Sequence, residues 1–278
     1  MLTVGPYSIT TPNFGNFRLD GGAMFGSVPK NLWAKKIPAD QENCIPLATR
    51  SLLLKGGGRT ILVDVGCGTK WGQKETDIFR FEHTPFSHLG FSPDEVTDII
   101  LTHLHFDHAG GISYLKNDGL LAPTFPNAKI YLQSANLKNA KSPNLKERAS
   151  YLAQNISIVE SSPLTLIEGD QEILPGIFSH RVDGHTVGQQ WIEVRGDRGD
   201  GTVSHIYFPT DLIPTAHHLP LPFQMGYDMC VTTSMVDKER FLESAIEKKA
   251  LVVFQHDVTT SSGLILKDEK GQYRLTQG

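Results

Sequence analysis

The stretch His103-Leu104-His105-Phe106-Asp107-His108 places three imidazoles and one carboxylate within six residues, directly after the apolar run Val96-Thr97-Asp98-Ile99-Ile100-Leu101. That run reads as a strand. The chain then leaves the sheet at Thr102, so a short loop can turn side chains of both parities toward one point. One pair of ligands can hold one ion and a second pair another. Imidazole nitrogen with a little carboxylate oxygen suits zinc, and also iron, cobalt, manganese or nickel. A lone histidine usually ends in a solvated loop or a satisfied polar patch, but four ligand-type residues in six, followed by Ala109-Gly110-Gly111, argue against that fate. The two glycines fit a turn where backbone passes close to the site or takes positive φ.

A two-metal site needs about three further protein ligands, supplied from other strand ends. His185 lies in Val182-Asp183-Gly184-His185-Thr186-Val187-Gly188-Gln189, a glycine-flanked turn ahead of the strand-like Gln190-Trp191-Ile192-Glu193-Val194. Asp211 follows Ile206-Tyr207-Phe208-Pro209-Thr210, and His256 follows Leu251-Val252-Val253-Phe254-Gln255. Each sits where a rigid element can aim a ligand.

The order His-x-His-x-Asp-His, Gly-His-Thr, Thr-Asp, Gln-His-Asp resembles the metallo-β-lactamase superfamily of metal-dependent hydrolases. The resemblance runs from Leu53 to His256 and includes Thr60-Ile61-Leu62-Val63-Asp64-Val65-Gly66, which matches that superfamily's early strand and Asp-x-Gly turn. It implies an α/β fold, a four-layer αβ/βα sandwich of two mixed β-sheets flanked by helices. It also implies two divalent metal ions, zinc first, with manganese, iron or cobalt possible. One ion would be held by His103, His105 and His185 and the other by Asp107, His108 and His256, with Asp211 and a hydroxide bridging. Asp107 and Asp211 are then the candidate catalytic carboxylates, Asp107 passing the proton onward. Asp64, Thr102, Thr186 and Asp257 are the nearest candidates to fix the tautomers of the ligating rings.

Gly21-Gly22-Ala23-Met24-Phe25-Gly26 with Pro29, Lys30 and Trp33 looks like the entry segment of quorum-quenching lactonases and their organophosphate-hydrolysing relatives. Met24, Phe25 and Trp33 are candidate substrate-binding residues, although local core or a dimer contact would use the same aromatics. A second candidate wall is 209–227, where Pro214, Pro220 and Pro222 oppose a long helix. In close lactonases a tyrosine three positions after the bridging aspartate polarises the substrate carbonyl; here that position is Pro214. Tyr227, in Met225-Gly226-Tyr227-Asp228, is a candidate to approach the site, with a structural phenol as its other reading, and His217 and His218 read as pocket lining or surface. The expected reaction is opening of a lactone or cleavage of a related ester. Phosphotriester or phosphodiester hydrolysis is the first alternative, and a di-iron redox protein or a non-catalytic metal-binding protein the alternative from another class.

With 278 residues and 39% hydrophobic content the chain can bury a large core. Ligands scattered from His103 to His256 argue for one domain over 1–278, with 1–45 contributing to the substrate pocket or a dimer contact. A net charge of −4 gives no electrostatic footprint for nucleic acid. Lys138, Lys141, Lys146 and Arg148 read as a solvated face of helix-like 134–155, interrupted at Ser142-Pro143-Asn144. Three dispersed cysteines exclude a disulfide scaffold. Without a basic-then-apolar leader or an apolar run of about 18 residues, a cytoplasmic protein with no membrane partner is expected. A homodimer is expected from resemblance alone. Other strands are predicted over 47–55, 60–65, 129–133 and 204–208. A helix is predicted over 237–249, N-capped by Asp237 with Phe241, Leu242, Ala245 and Ile246 as its core stripe, and an exposed hairpin loop over 195–201.

Overall fold

Alternation along the predicted strands builds two sheets that share a core. The computed structural model describes residues 2–197 and 202–276. Seven strands form the first sheet, in the order Leu2–Val4, Tyr7–Thr10, Leu52–Gly56, Arg59–Val63, Asp98–Ile100, Lys129–Gln133, Leu164–Ile167. Its first four strands pair antiparallel and the rest parallel. The second sheet orders Gln171–Leu174, Ile177–Val182, Gln189–Asp197, Val203–Phe208, Leu251–Val253 and Ser262–Gly263, with one parallel pair between Val203–Phe208 and Leu251–Val253.

Both faces of each sheet are covered, so the strands are apolar on both sides. Leu52, Leu54, Ile61, Val63 and Ile100 face the second sheet, where they meet Ile192, Val194, Ile206 and Phe208. Their sequence neighbours Leu53, Leu62 and Ile99 face outward, packing with Leu137 and Val159 of helices Ser134–Lys141 and Ala153–Ser161. On the far side Phe241, Leu242 and Ala245 of helix Val231–Glu247 close over Trp191, Tyr207 and Val252. The result is the four-layer αβ/βα sandwich of two mixed sheets expected above. A smaller three-stranded sheet, Cys44–Arg50 with Asn13–Asp20 and Glu82–His83, lies across the same end of the strands as the histidine loop. No helix among the described residues is long and apolar enough to cross a membrane.

Three expectations need correction. The strand over 47–55 is two strands, broken at Ser51, whose hydroxyl donates to the carbonyls of Val63 and Asp64; Cys44–Arg50 joins the small sheet and Leu52–Gly56 the large one. The helix expected from Asp237 begins at Val231, which places Asp237 inside it. Packing overrides the weak helix propensity of Val231-Thr232-Thr233-Ser234, because Ser234 is buried against Gly184 and the Cys230 N–H donates to the Gly184 carbonyl at 2.8 Å. The predicted hairpin loop begins later than expected, since Gln189–Asp197 remains paired through Asp197; its residues 198–201 lie outside the described residues.

Gly184 is thus a close-packing glycine one residue before a candidate ligand. A Cβ there would meet the Ser234 N at 2.4 Å and Cα at 2.6 Å. Gly184→Ala is expected to destabilise the protein by about 1–3 kcal/mol in urea unfolding, the usual range for overpacking. Wild-type stability in this variant would show that the helix does not press on the histidine turn.

Candidate metal centre

The candidate ligands all lie at strand ends along the seam between the two sheets. Past Asp98–Ile100 the chain turns through His103 and His105 into the short helix Phe106–Ala109, which carries Asp107 and His108. His185 sits between Ile177–Val182 and Gln189–Asp197, Asp211 in the turn Thr210–Leu212, and His256 beyond Leu251–Val253. Hydrogen bonds across the seam keep these ends together: Gln190 N to the Thr102 carbonyl at 3.0 Å, Gln190 Nε2 to the Leu101 carbonyl at 2.8 Å, and Ala48 N to the His256 carbonyl at 3.1 Å.

Two groups result, His103, His105, His185 and Asp211 in one, Asp107, His108, Asp211 and His256 in the other; within each, the ligand atoms lie within 4.8 Å of one another. Asp211 is common to both. Its Oδ2 lies 3.1 Å from His185 Nε2, 3.2 Å from His108 Nε2 and 3.6 Å from His103 Nε2, and its Oδ1 is 3.0 Å from His256 Nε2. His105 points Nδ1 at the cluster, 3.1 Å from His185 Nε2. The buried His103 Nε2, His256 Nε2 and Asp211 Oδ1 make no hydrogen bond among the described residues. Orphaned buried donors and acceptors of this kind are rare unless something else satisfies them. Converging imidazole nitrogens and a shared carboxylate fit a pair of divalent cations.

The outer nitrogens of four of the five rings are held individually, that of His105 being the exception. Asp64 accepts from His108 Nδ1 at 2.9 Å, Thr102 N at 2.8 Å, Thr102 Oγ1 at 2.7 Å and Gln255 Nε2 at 3.0 Å. Thr102 Oγ1 also lies 3.2 Å from His103 Nδ1. Asp64 and Thr102 therefore touch the candidate ligand rings of His108 and His103. Asp257 does not: it accepts from the N–H groups of Ala216, Thr259 and Thr260, while His256 Nδ1 donates to the Ala48 carbonyl at 2.7 Å. Thr186 acts one step away, donating to Glu147 Oε2 at 2.6 Å. That carboxylate lies 3.8 Å from His105 Nε2, an ion-pair separation beyond hydrogen bonding.

Three supporting residues escaped the sequence reading: Glu147, Asp228, whose Oδ1 is 3.0 Å from His185 Nδ1, and Gln189. With its amide oxygen toward the 210–212 turn, Gln189 accepts from Thr210 Oγ1 at 2.9 Å and from Asp211 N and Leu212 N, each at 3.1 Å. It braces Thr210, a β-branched residue at φ +50°, beside the shared aspartate. No motif flags these residues, because their partners are remote in sequence.

A cavity of about 310 Å³ opens onto both groups. Met24 and Tyr227 line it, with Leu19, Phe106, Met225 and Met229. Phe25 and Trp33 do not. They stack on each other at 5.4 Å in a buried cluster, and Phe25 also stacks on His218 at 4.4 Å. His218 is itself buried and donates from Nε2 to the Met24 carbonyl at 2.9 Å, so it anchors the entry segment and does not line the cavity. Lys146, read above as part of a solvated helical face, is in the cavity wall and donates to the Asp228 carbonyl at 2.6 Å.

Residues 44–256 match the family model described as the Metallo-beta-lactamase superfamily. An N-acyl homoserine lactonase of Bacillus cereus is 28% identical over 182 residues, which are 65% of this chain and 63% of the lactonase, so the chain spans less than two thirds of that relative's length. A solved structure of a probable metal-dependent hydrolase from Staphylococcus aureus superposes with a TM-score of 0.85 at 27% identity, covering 100% of this chain and 99% of that one. The dizinc quorum-quenching lactonase AidC shares the fold, with a TM-score of 0.78 at 18% identity over 100% of this chain and 96% of its own.

The carboxylates of the centre act on the proton affinity of its imidazoles. Burial disfavours the His185 imidazolium, but Asp211 and Asp228 outweigh it and raise its pKa from 6.5 to about 10. Burial is likewise outweighed at His108, which Asp211, Asp107 and Asp64 carry well above the ordinary histidine range. Both rings are therefore biased toward the protonated form, and a metal must displace that proton. Zinc loading of metal-depleted protein at pH 7 is expected to release protons, with affinity rising as pH rises. Calorimetry in buffers of different ionisation enthalpy measures this, and release near zero would contradict the assignment.

Proposed function

The chain belongs to the metallo-β-lactamase superfamily, and we propose that it is a single-domain, dinuclear metal-dependent hydrolase that opens a lactone or cleaves a related ester. The observation that carries this reading is an apolar cavity ending on two ligand groups that share one carboxylate. In this reading His103, His105 and His185 hold one ion, Asp107, His108 and His256 the other, and Asp211 both. Zinc is the first candidate from the donor set. Bound there, two such ions would supply Lewis acidity to the substrate oxygen and a nucleophile from water at neutral pH.

The side chains of this protein supply the remainder. Asp211 keeps the two ligand groups together, and Asp107, which faces the cavity, is placed to accept a proton and deliver it to the leaving oxygen. Burial pushes the Tyr227 phenol up to about 12, so it remains a donor at neutral pH, and among the described residues its hydroxyl makes no hydrogen bond. It is the candidate to polarise the substrate carbonyl from the cavity wall it shares with Met225 and Met229. Leu19, Leu47, Met24, Phe106, Met225 and Met229 offer dry surface to an acyl arm, with Met supplying adaptable packing. Lys146 is the one Lys or Arg among the lining residues, whereas a polynucleotide substrate would call for a run of basic side chains.

Metal-reconstituted protein is expected to hydrolyse acyl-homoserine lactones, simple lactones or aryl esters, and His105→Ala, Asp107→Ala together to abolish that turnover. Turnover confined to a phosphotriester would transfer the assignment to phosphoryl chemistry by the same clusters. Tyr227→Phe is expected to lower kcat about 100-fold, the scale of losing one donor to a developing oxyanion. Unchanged kcat would return Tyr227 to a purely structural role.

A further inference from the structure

Asp228 carries no motif, yet its carboxylate is 3% exposed and both oxygens are engaged. Oδ1 is 3.0 Å from His185 Nδ1, and Oδ2 accepts from Met225 N at 3.1 Å. The first contact faces the metal centre and the second the wall of the cavity, where Met225, Tyr227 and Met229 lie. The backbone around it is tied to the same two places. Met229 N donates to the His185 carbonyl at 3.1 Å, Gly226 N to the Ala23 carbonyl at 2.7 Å beside Met24, and Lys146 Nζ to the Asp228 carbonyl at 2.6 Å.

We propose that Asp228 is a positioning residue that joins the ligand set to the substrate wall, one oxygen setting the His185 tautomer and the other shaping the 225–228 turn that presents Tyr227. The proposal rests on the reading of His185 as a metal ligand. A carboxylate only accepts, so it keeps the His185 proton on Nδ1 and leaves the Nε2 lone pair toward Asp211 and the other ligands. Both partners of Asp228, His185 Nδ1–H and Met225 N–H, require an acceptor. No neutral isostere can serve both.

That requirement makes Asp228→Asn informative, because an amide has one acceptor oxygen. If its oxygen serves Met225, its NH2 faces His185 and favours the Nε2–H tautomer, which withdraws a ligand atom. If its oxygen serves His185, the 225–228 turn loses its tie. Zinc dissociation constants from chelator competition read the first outcome, and amide hydrogen exchange of a 225–230 peptide reads the second; neither requires a substrate. We expect Asp228→Asn either to weaken one of two zinc equivalents about 10–100-fold or to speed exchange in that peptide.

Asp228→Glu separates positioning from space filling and keeps the test open should the Asn variant not fold. Glu is longer but retains two acceptors, so a positioning role predicts that it holds both zinc ions more tightly than the isosteric Asn does, or folds where Asn does not. Asn performing as well as Glu in zinc affinity and exchange, or wild-type values for Asn in both, would overturn the proposal. Wild-type protein that binds no zinc would instead overturn the underlying reading of His185.

Discussion

The Asp211 carboxylate is buried at the meeting point of the two sheets, with four imidazole nitrogens between 3.0 and 3.6 Å from it. An ion taken out of water without partners carries a penalty of several kcal/mol, so this group is tolerable only if the fold delivers positive or coordinating neighbours to it from all sides. Burial alone would raise its pKa, yet His108, His185 and His256 hold it well below the carboxylate range. Those rings come from three separate connections between strands. The sandwich must therefore bring the ends of both sheets to one place before the carboxylate is satisfied, which makes the centre a product of the complete four-layer packing.

The same demand propagates outward. Four of the five rings whose inner nitrogen faces the cluster have the outer nitrogen held, by Asp64 for His108, Thr102 for His103, Asp228 for His185 and the Ala48 carbonyl for His256. Two residues accept left-handed backbone beside these contacts, Asp64 at φ +60° and Thr210 at φ +50°. Aspartate tolerates that region with little strain; threonine is costlier, and Gln189 holds its turn through three hydrogen bonds. Asp228 is where this outer layer meets the cavity. Its place between His185 and Met225 means that the geometry of the centre and the shape of the wall are not independent variables.

Legibility in the sequence followed how local the physics is. The strands at 129–133 and 204–208, and the apolar stripe of Phe241, Leu242 and Ala245, answer to short apolar runs and helical periodicity, and the structure retains them with small changes of boundary. The start of the last helix was hidden because Val231 to Ser234 are poor helix formers that contact with Gly184 stabilises. Phe25 and Trp33 resembled pocket aromatics, but they stack on each other while the smaller, more flexible Met24 reaches the cavity. Lys146 likewise looked like one of several solvated lysines until the distant Asp228 carbonyl came beside it.

What the sequence by itself determined was the set of candidate ligand types, their order along the chain and the α/β layering, because His-x-His-x-Asp-His and short apolar runs express short-range chemistry within a few residues. What only the tertiary structure decided was which side chains stand behind that set and which face the cavity. Glu147, Gln189 and Asp228 are ordinary polar residues in the sequence; burial beside remote partners is what gives them a role, since a hydrogen bond depends on distance in space and carries no trace in local composition.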